Sequence, residues 1–131
     1  MIFFLMLFAA SAFGQDVSQL HWAINQHRAS KDLVLLTTTD SLDCVAINHA
    51  TDLYENDFCS HTGSDGKTLR QRAKDCKATA LAELIACGYN NPDSIVKEWL
   101  KNSRGRKILE CKDCLALGIG QVGPYWVVVT N

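Results

Sequence analysis

Apolar and polar residues follow a helical periodicity through most of the chain and an alternating one near its end. Helical spacing predicts helices over residues 16–28, over residues 39–56 (with Thr39 or Asp40 first) and over residues 67–75. A fourth helix is predicted to start at Pro92, with Asn91 as its cap, and to be ended by residues 103–106. The pattern therefore predicts four helices.

Strand patterns occupy the other apolar stretches. Residues 80–86 form a short apolar run, which favours a strand. Residues 115–119 alternate large and small side chains, Gly123 and Pro124 suit a turn, and residues 125–129 are aromatic or β-branched, so we expect a terminal β-hairpin. Helices early and strands late predict an α+β layered fold.

The start of the chain differs from the rest. Residues 1–15 carry no charge, and residues 2–10 are an unbroken apolar run followed by small side chains. We expect residues 1–14 to be a signal peptide cut before Gln15, with a cut after Ala12 as the second choice, and residues 15–131 to form one domain. A membrane anchor or a buried N-terminal helix is the alternative, although a spanning helix takes about 20 residues.

Length and charge exclude several classes of protein. The chain has 131 residues, 47% of them hydrophobic, and its 13 basic and 14 acidic residues give a net charge of −1. The hydrophobic share is too high for a disordered chain, and the charge is too balanced for a general nucleic-acid binder. We expect a secreted monomer with no nucleic-acid partner and no transmembrane segment.

Six cysteines in a small secreted domain predict three disulfides. They are Cys44, Cys59, Cys76, Cys87, Cys111 and Cys114. Six cysteines allow 15 pairings, and the sequence does not select one. The Cys111–Cys114 spacing also suits a redox motif or half a zinc site, but no second such pair completes a zinc site, so we favour structural bridging, not necessarily to each other.

Three polar residues stand out for their chemistry. His49 lies on the apolar stripe of the second helix, which indicates a core histidine. His61 lies in a polar loop, where it could act as a ligand or a general base. Glu83 interrupts an apolar run, which is unfavourable unless a cation, metal or donor satisfies it. His61 and Glu83 are therefore the candidate pair, either for a structural hydrogen bond or for a site.

Other signals for catalysis are weak. The chain has no nucleophile elbow, zinc-protease helix or phosphate-binding glycine loop, and oxidised cysteines are not nucleophiles. Basic residues cluster on and after the third helix, which we interpret as a solvated face rather than a membrane or polyanion patch. They are Lys67, Arg70, Arg72, Lys74 and Lys77.

Several motifs, in order, resemble those of the CAP superfamily, the SCP domain of cysteine-rich secretory, antigen 5 and pathogenesis-related 1 proteins. The resemblance covers about residues 20–129 and is closest to the compact bacterial and protist members. The matching segments are Asn25 to Arg28, Asn48 to Leu53, Phe58 to Gly66, Ala82 to Gly88, Trp99 to Leu109, and Tyr125–Trp126.

This resemblance implies a three-layer α–β–α sandwich with a small, mainly antiparallel sheet. Its cleft commonly gathers two His and two Glu around a divalent ion. His61 matches one His and Glu83 one Glu, while Gly105 stands where the second His is expected, and Glu98 is not the equivalent of the second Glu. Zinc usually takes at least three protein ligands, so we expect a weak or absent metal site and no cofactor.

The family implies binding rather than catalysis, with a sterol, a fatty acid or an extracellular protein as partner and no catalytic residue assigned. One alternative is a cleft hydrolase in which His61 is the base and Glu83 orients it. Another is a disulfide-stapled defence or antimicrobial protein acting at membranes, which the net charge of −1 disfavours.

Overall fold

The structure is a computed structural model that describes the backbone of residues 12–131 and the side chains of residues 16–131. The predicted signal peptide lies almost wholly outside the described residues. The elements in chain order are α1 (Ala12–Ser30), β1 (Thr37–Thr38), α2 (Asp40–Asn56), α3 (Leu69–Asp75), β2 (Ala82–Cys87), α4 (Pro92–Leu100), α5 (Ser103–Leu109), β3 (Ala116–Val122) and β4 (Tyr125–Thr130).

Side-chain caps explain where most of these helices begin. Thr39 accepts a hydrogen bond from the backbone of α2, Thr68 forms a capping box at α3, and Asn91 caps α4 just before Pro92. Asn102 caps a further helix by accepting from the backbone N–H of Gly105 at 2.7 Å. The prediction of four helices was therefore wrong, because residues 103–106 begin α5 instead of merely ending α4.

The four strands form a mixed sheet in the order β1-β3-β4-β2. The predicted hairpin of β3 and β4 is confirmed, and β2 pairs antiparallel with β4. The difference from the expected sheet is β1, which pairs in parallel with β3 through Thr37 and Thr38 only. Because β1 is so short, most of β3 has no strand on that side within residues 12–131.

Helices cover both faces of the sheet, so the fold has three layers. Alternate residues of β4 point to opposite faces, with Val128 in one core and Val127 and Val129 in the other. The first core joins the sheet to α1, α4 and α5, and the second joins it to α2 and α3. Within residues 12–131, no helix is long and apolar enough to cross a membrane.

All six cysteines are paired, which confirms three disulfides. Cys44–Cys76 joins α2 to the end of α3, and Cys59–Cys87 joins the loop after α2 to the end of β2. Cys111 and Cys114 pair with each other and close a short loop after α5. The sequence alone left all of these pairings open.

Arg28, near the end of α1, is completely buried. Its guanidinium donates hydrogen bonds to three backbone carbonyls, those of Val34 at 2.8 Å, Leu109 at 3.1 Å and Cys111 at 2.8 Å. Burial lowers the pKa of Arg28. Since Leu109 ends α5, the cation also lies at the negative end of that helix, and it joins α1, the following connector and the Cys111 loop.

We expect Arg28→Met to lower the free energy of unfolding by about 3 kcal/mol, because three buried or partly buried carbonyls would lose a charged donor. Urea denaturation of the purified protein measures this. Lys31→Met, an exposed change just after the same helix, is the control and should be nearly neutral. Equal losses in the two variants would contradict the role of the buried guanidinium.

Candidate functional site

The candidate site is built around the carboxylate of Glu83, in the second position of β2. The residue is only 3% exposed. His61 reaches one oxygen, with 2.9 Å between Nδ1 and Oε1, so the structure brings the two predicted residues together. Because a carboxylate only accepts, Nδ1 of His61 carries the proton in this contact. The His61 side chain remains half exposed.

Arg72 satisfies the rest of the Glu83 carboxylate. Its Nη1 donates to Oε2 at 2.9 Å, its Nη2 donates to Oε1 at 3.0 Å, and Nη2 also donates to the backbone carbonyl of His61 at 2.7 Å. Both oxygens of Glu83 are thus held by one planar guanidinium.

Arg72 corrects the interpretation of the basic residues as one solvated face. Its side chain is about nine-tenths buried, and it lies on the stripe of α3 that carries Leu69, Ala73 and Cys76. The helical spacing of these apolar neighbours was the signal in the sequence that set Arg72 apart from the other four basic residues.

Two side chains of α2 hold the loop that carries His61. His49 donates from Nε2 to the carbonyl of Ser60 at 2.7 Å, and Asp52 accepts from the backbone N–H of Ser64 at 2.8 Å and from its hydroxyl. These residues are three positions apart and so share one face of the helix. The Cys59–Cys87 disulfide ties the same loop to the strand of Glu83.

Burial and hydrogen bonding shift the pKa values of these two groups. Burial lowers the pKa of His49 below its ordinary value, and the nearby Glu83 carboxylate opposes this shift. Burial alone would raise the pKa of Asp52, but the hydrogen bonds from Ser64 and Asn56 outweigh it and lower that pKa. His49 is only 1% exposed, which confirms its prediction as a core histidine.

A cleft of about 160 Å³ opens beside the His61–Glu83 pair. The lining residues are His61, Glu83, Leu84, Ile85, Trp99, Asn102, Arg104 and Gly105. Gly105 packs against the end of α4 so closely that a Cβ atom there would lie 1.9 Å from the carbonyl oxygen of Trp99. Position 105 therefore has no room for a histidine in this backbone.

The residues present do not fit the divalent ion that the resemblance implies. A zinc site needs about three protein ligands, and Arg72 already holds both oxygens of Glu83. Glu98, which does not match the second glutamate of the family cleft, forms an exposed ion pair with Lys101 and does not line the cleft. Among the described residues, no group of three or more His, Cys, Asp or Glu side chains is placed to hold a metal.

A second concave region lies where the short β1 leaves β3 uncovered. Its main part, about 500 Å³, is lined by Val17, Ser18, His21, Thr38, Asp43, Ile47, Ile119 and Gln121. Ser18 and His21 also line an adjoining hollow of about 280 Å³, which contains Trp22 and Leu35. We call the two together the α1–α2 groove. No local pattern in the sequence indicates this groove, since it depends on the length of β1.

The groove combines apolar walls with a few polar groups. Trp22, Leu35 and Ile47 are each about half exposed, which is unusual for side chains of this size. Asp43 accepts the backbone N–H of Ile119 at 3.0 Å, so this bond satisfies a group on the uncovered side of β3. The backbone N–H at the bottom of the groove is therefore already hydrogen-bonded, while the large exposed side chains around it are apolar.

The sequence matches the family model of the cysteine-rich secretory protein (CAP) family over residues 22–112. A comparison with curated proteins found no match.

Three solved structures are similar in fold. One is an extracellular protein containing an SCP domain from Bacillus anthracis, with a TM-score of 0.84 and 24% identity, covering 90% of this chain and 40% of that one. An outer surface protein from Borrelia burgdorferi has a TM-score of 0.76 and 25% identity, covering 88% of this chain and 90% of that one. A cysteine-rich secretory protein from Staphylococcus aureus has a TM-score of 0.76 and 18% identity, covering 92% and 39%. The chain thus spans about two fifths of the first and third proteins.

The close contact at Gly105 predicts that replacing this glycine changes the stability of the protein in the opposite direction to the usual one. Replacing a helical Gly by Ala normally stabilises a helix by about 1 kcal/mol, but we expect Gly105→Ala to destabilise this protein by about 1–3 kcal/mol because the added methyl overlaps the Trp99 carbonyl. Thermal and urea unfolding measure the change. Ser103→Ala on the same helix is the control, and stabilisation by Gly105→Ala would contradict the close approach.

The lowered pKa of His49 predicts a pH-dependent loss of stability. Above the ordinary pKa of 6.5, both folded and unfolded states hold the imidazole neutral. As the pH falls below that value, the unfolded state takes up the proton first, so the free energy of unfolding declines. In His49→Gln, whose amide can still donate to Ser60, the decline between pH 7 and pH 5 (about the range in which histidine titrates) should be smaller. Parallel unfolding profiles would contradict this assignment.

Proposed function

Since this chain belongs to the cysteine-rich secretory protein (CAP) family, we propose that it is a secreted, non-catalytic protein that binds an apolar ligand of the sterol or fatty-acid class. The observation that carries this proposal is the α1–α2 groove. Taken together, its two parts, about 500 Å³ and about 280 Å³, lie in the size range of small-molecule sites.

The chemistry of the groove suits a ligand with a long apolar body and one polar end. Apolar contacts come from α1, α2 and β3 through Val17, Ile47 and Ile119. Burial of such a ligand is favourable at about 25 cal/mol per Å² of apolar surface removed from water. His21 and Gln121 supply polar groups in the same wall, and such groups orient a ligand.

Two observations support a role in ligand binding rather than catalysis in the cleft beside His61 and Glu83. Arg72 neutralises Glu83 and occupies both its oxygens, and Gly105 leaves no space for a second imidazole. We therefore propose that the protein works without a bound metal or other cofactor.

Secretion is supported by the three disulfides, since such bonds persist in oxidising compartments. The similar proteins from Bacillus anthracis and Borrelia burgdorferi are described as extracellular and outer surface proteins. The uncharged apolar start of the chain is consistent with the same location. An extracellular protein partner in place of a lipid is the other form of this proposal.

Ligand binding is testable with the chain's own tryptophans. Trp22 lies in the groove and is 57% exposed, whereas Trp99 and Trp126 are buried. We expect a sterol or fatty acid to bind saturably in a filter assay and to shift the emission of Trp22 to shorter wavelength. Trp22→Phe should remove the spectral shift and keep most of the binding.

A matched pair of variants locates the site. Ile47→Asp places a charge in the groove and should weaken binding about tenfold or more, because a charge in an apolar wall is unfavourable. Leu115→Asp places the same charge at an exposed leucine outside the groove and should leave binding unchanged. Absence of saturable binding of both ligand classes, or equal effects of the two variants, would overturn the lipid proposal.

The His61–Glu83 contact favours one second candidate, a hydrolase. Nδ1 of His61 is held by a buried carboxylate while the ring is half exposed, as a general base requires. Purified protein and His61→Ala are to be compared on ester and peptide substrates, with and without zinc. Activity that is lost in His61→Ala would favour the hydrolase, and equal turnover would exclude it.

A further inference from the structure

A basic groove on the outer side of α3 is used neither by the cleft nor by the α1–α2 groove. Its volume is about 670 Å³, and Arg70, Lys74 and Lys77 line it over a floor of small residues. The floor consists of Ala73, Ala78, Thr79 and Ala80. We call this region the α3 groove.

The three cations of the α3 groove have no acidic partner among the described residues. The other two basic residues of this segment are engaged, since Arg72 binds Glu83 and Lys67 binds Asp75 at 2.7 Å. Arg70 and Lys74 are four positions apart and so lie on one side of α3. A local concentration of three unpaired positive charges therefore exists in a chain whose net charge is −1.

An exposed apolar side chain continues this basic surface. Leu81 follows the last lining residue, Ala80, and is 61% exposed. Its backbone N–H donates to the carbonyl of Thr130 at 2.8 Å, which extends the pairing of β2 with β4 by one residue. Because side chains alternate along a strand, Leu81 lies on the same face of the sheet as Glu83 and Ile85, which is the face that α3 covers.

We propose that the α3 groove and Leu81 dock the protein on an anionic lipid surface. Each Lys or Arg close to such a surface contributes about 1 kcal/mol of attraction, and an adjacent exposed leucine gains further by entering the interface. A soluble polyanion would use the three cations but would gain nothing from Leu81. This apolar neighbour therefore favours lipid headgroups as the source of the negative charge.

This docking surface does not depend on the ligand of the α1–α2 groove. The two surfaces share no residue. Ile47→Asp should therefore weaken ligand binding and leave vesicle binding intact, so the failure of either proposal is distinguishable from the failure of the other.

The test is co-sedimentation with vesicles of phosphatidylcholine alone and with added phosphatidylglycerol. We expect binding only to the anionic vesicles, and a loss of that binding at high salt. Arg70→Glu with Lys74→Glu should lower the partition coefficient by more than about tenfold. Lys97→Glu with Lys107→Glu, two exposed cations on α4 and α5 without acidic partners in the described structure, is the control of equal charge and should bind nearly as well as the parent.

Heparin distinguishes a soluble polyanion from a membrane. Leu81→Ser should weaken vesicle binding and leave heparin binding unchanged, and circular dichroism checks that each variant is folded. Equal vesicle binding by the two double variants would overturn the proposal. Binding to heparin without binding to anionic vesicles would also overturn it, in favour of a soluble polyanion.

Discussion

The carboxylate of Glu83 is a negative charge inside a layered core, and such a charge is unfavourable unless donors and an opposite charge reach it. Arg72 from α3 and His61 from the loop after α2 supply them, and both reach across from other parts of the chain. The requirement to satisfy this one group therefore fixes where α3 and the loop lie relative to the sheet. Since the cleft opens beside Glu83 and His61, its shape and charge depend on that requirement too.

The same dependence explains how the disulfides and polar contacts are distributed. Cys59–Cys87 joins the segment of His61 to the strand of Glu83, and Cys44–Cys76 joins α2 to the end of α3. On the opposite face of the sheet, Arg28 performs a comparable task with carbonyl groups in place of a carboxylate. Each outer layer is thus held to its neighbours by a polar contact of largely buried groups as well as by apolar packing.

Local chemistry made much of this fold predictable. The caps Thr39 and Asn91 and the turn at Gly123 act within a few residues, so the starts of α2 and α4 and the terminal hairpin were predictable from sequence. The break between α4 and α5 was missed, because Ser103 to Arg106 contains turn-like residues that a cap at Asn102 turns into a helix start. Residues 103–106 alone suggest a turn. The helix start becomes evident only from the hydrogen bond between the Asn102 side chain and the backbone N–H of Gly105.

The candidate site was predictable only in part. Glu83 within an apolar run showed that a donor had to exist, and the resemblance pointed to His61. The spacing of Arg72 from the apolar residues of α3 marks it as the inward-facing one of five basic residues, but its pairing with Glu83 depends on how α3 packs on the sheet. The disulfide pairing and the α1–α2 groove depend on distances between segments far apart in sequence. Such contacts arise from the assembled layers and have no short-range signature.

The close approach at Gly105 also limits how the cleft can change over generations. At this position, the first side-chain carbon of any other residue would overlap the carbonyl of Trp99. Placing an imidazole there would require α5 to move away from α4. A single substitution at position 105 therefore cannot add a metal ligand to the cleft, whereas its exposed lining residues Asn102 and Arg104 can change without moving either helix.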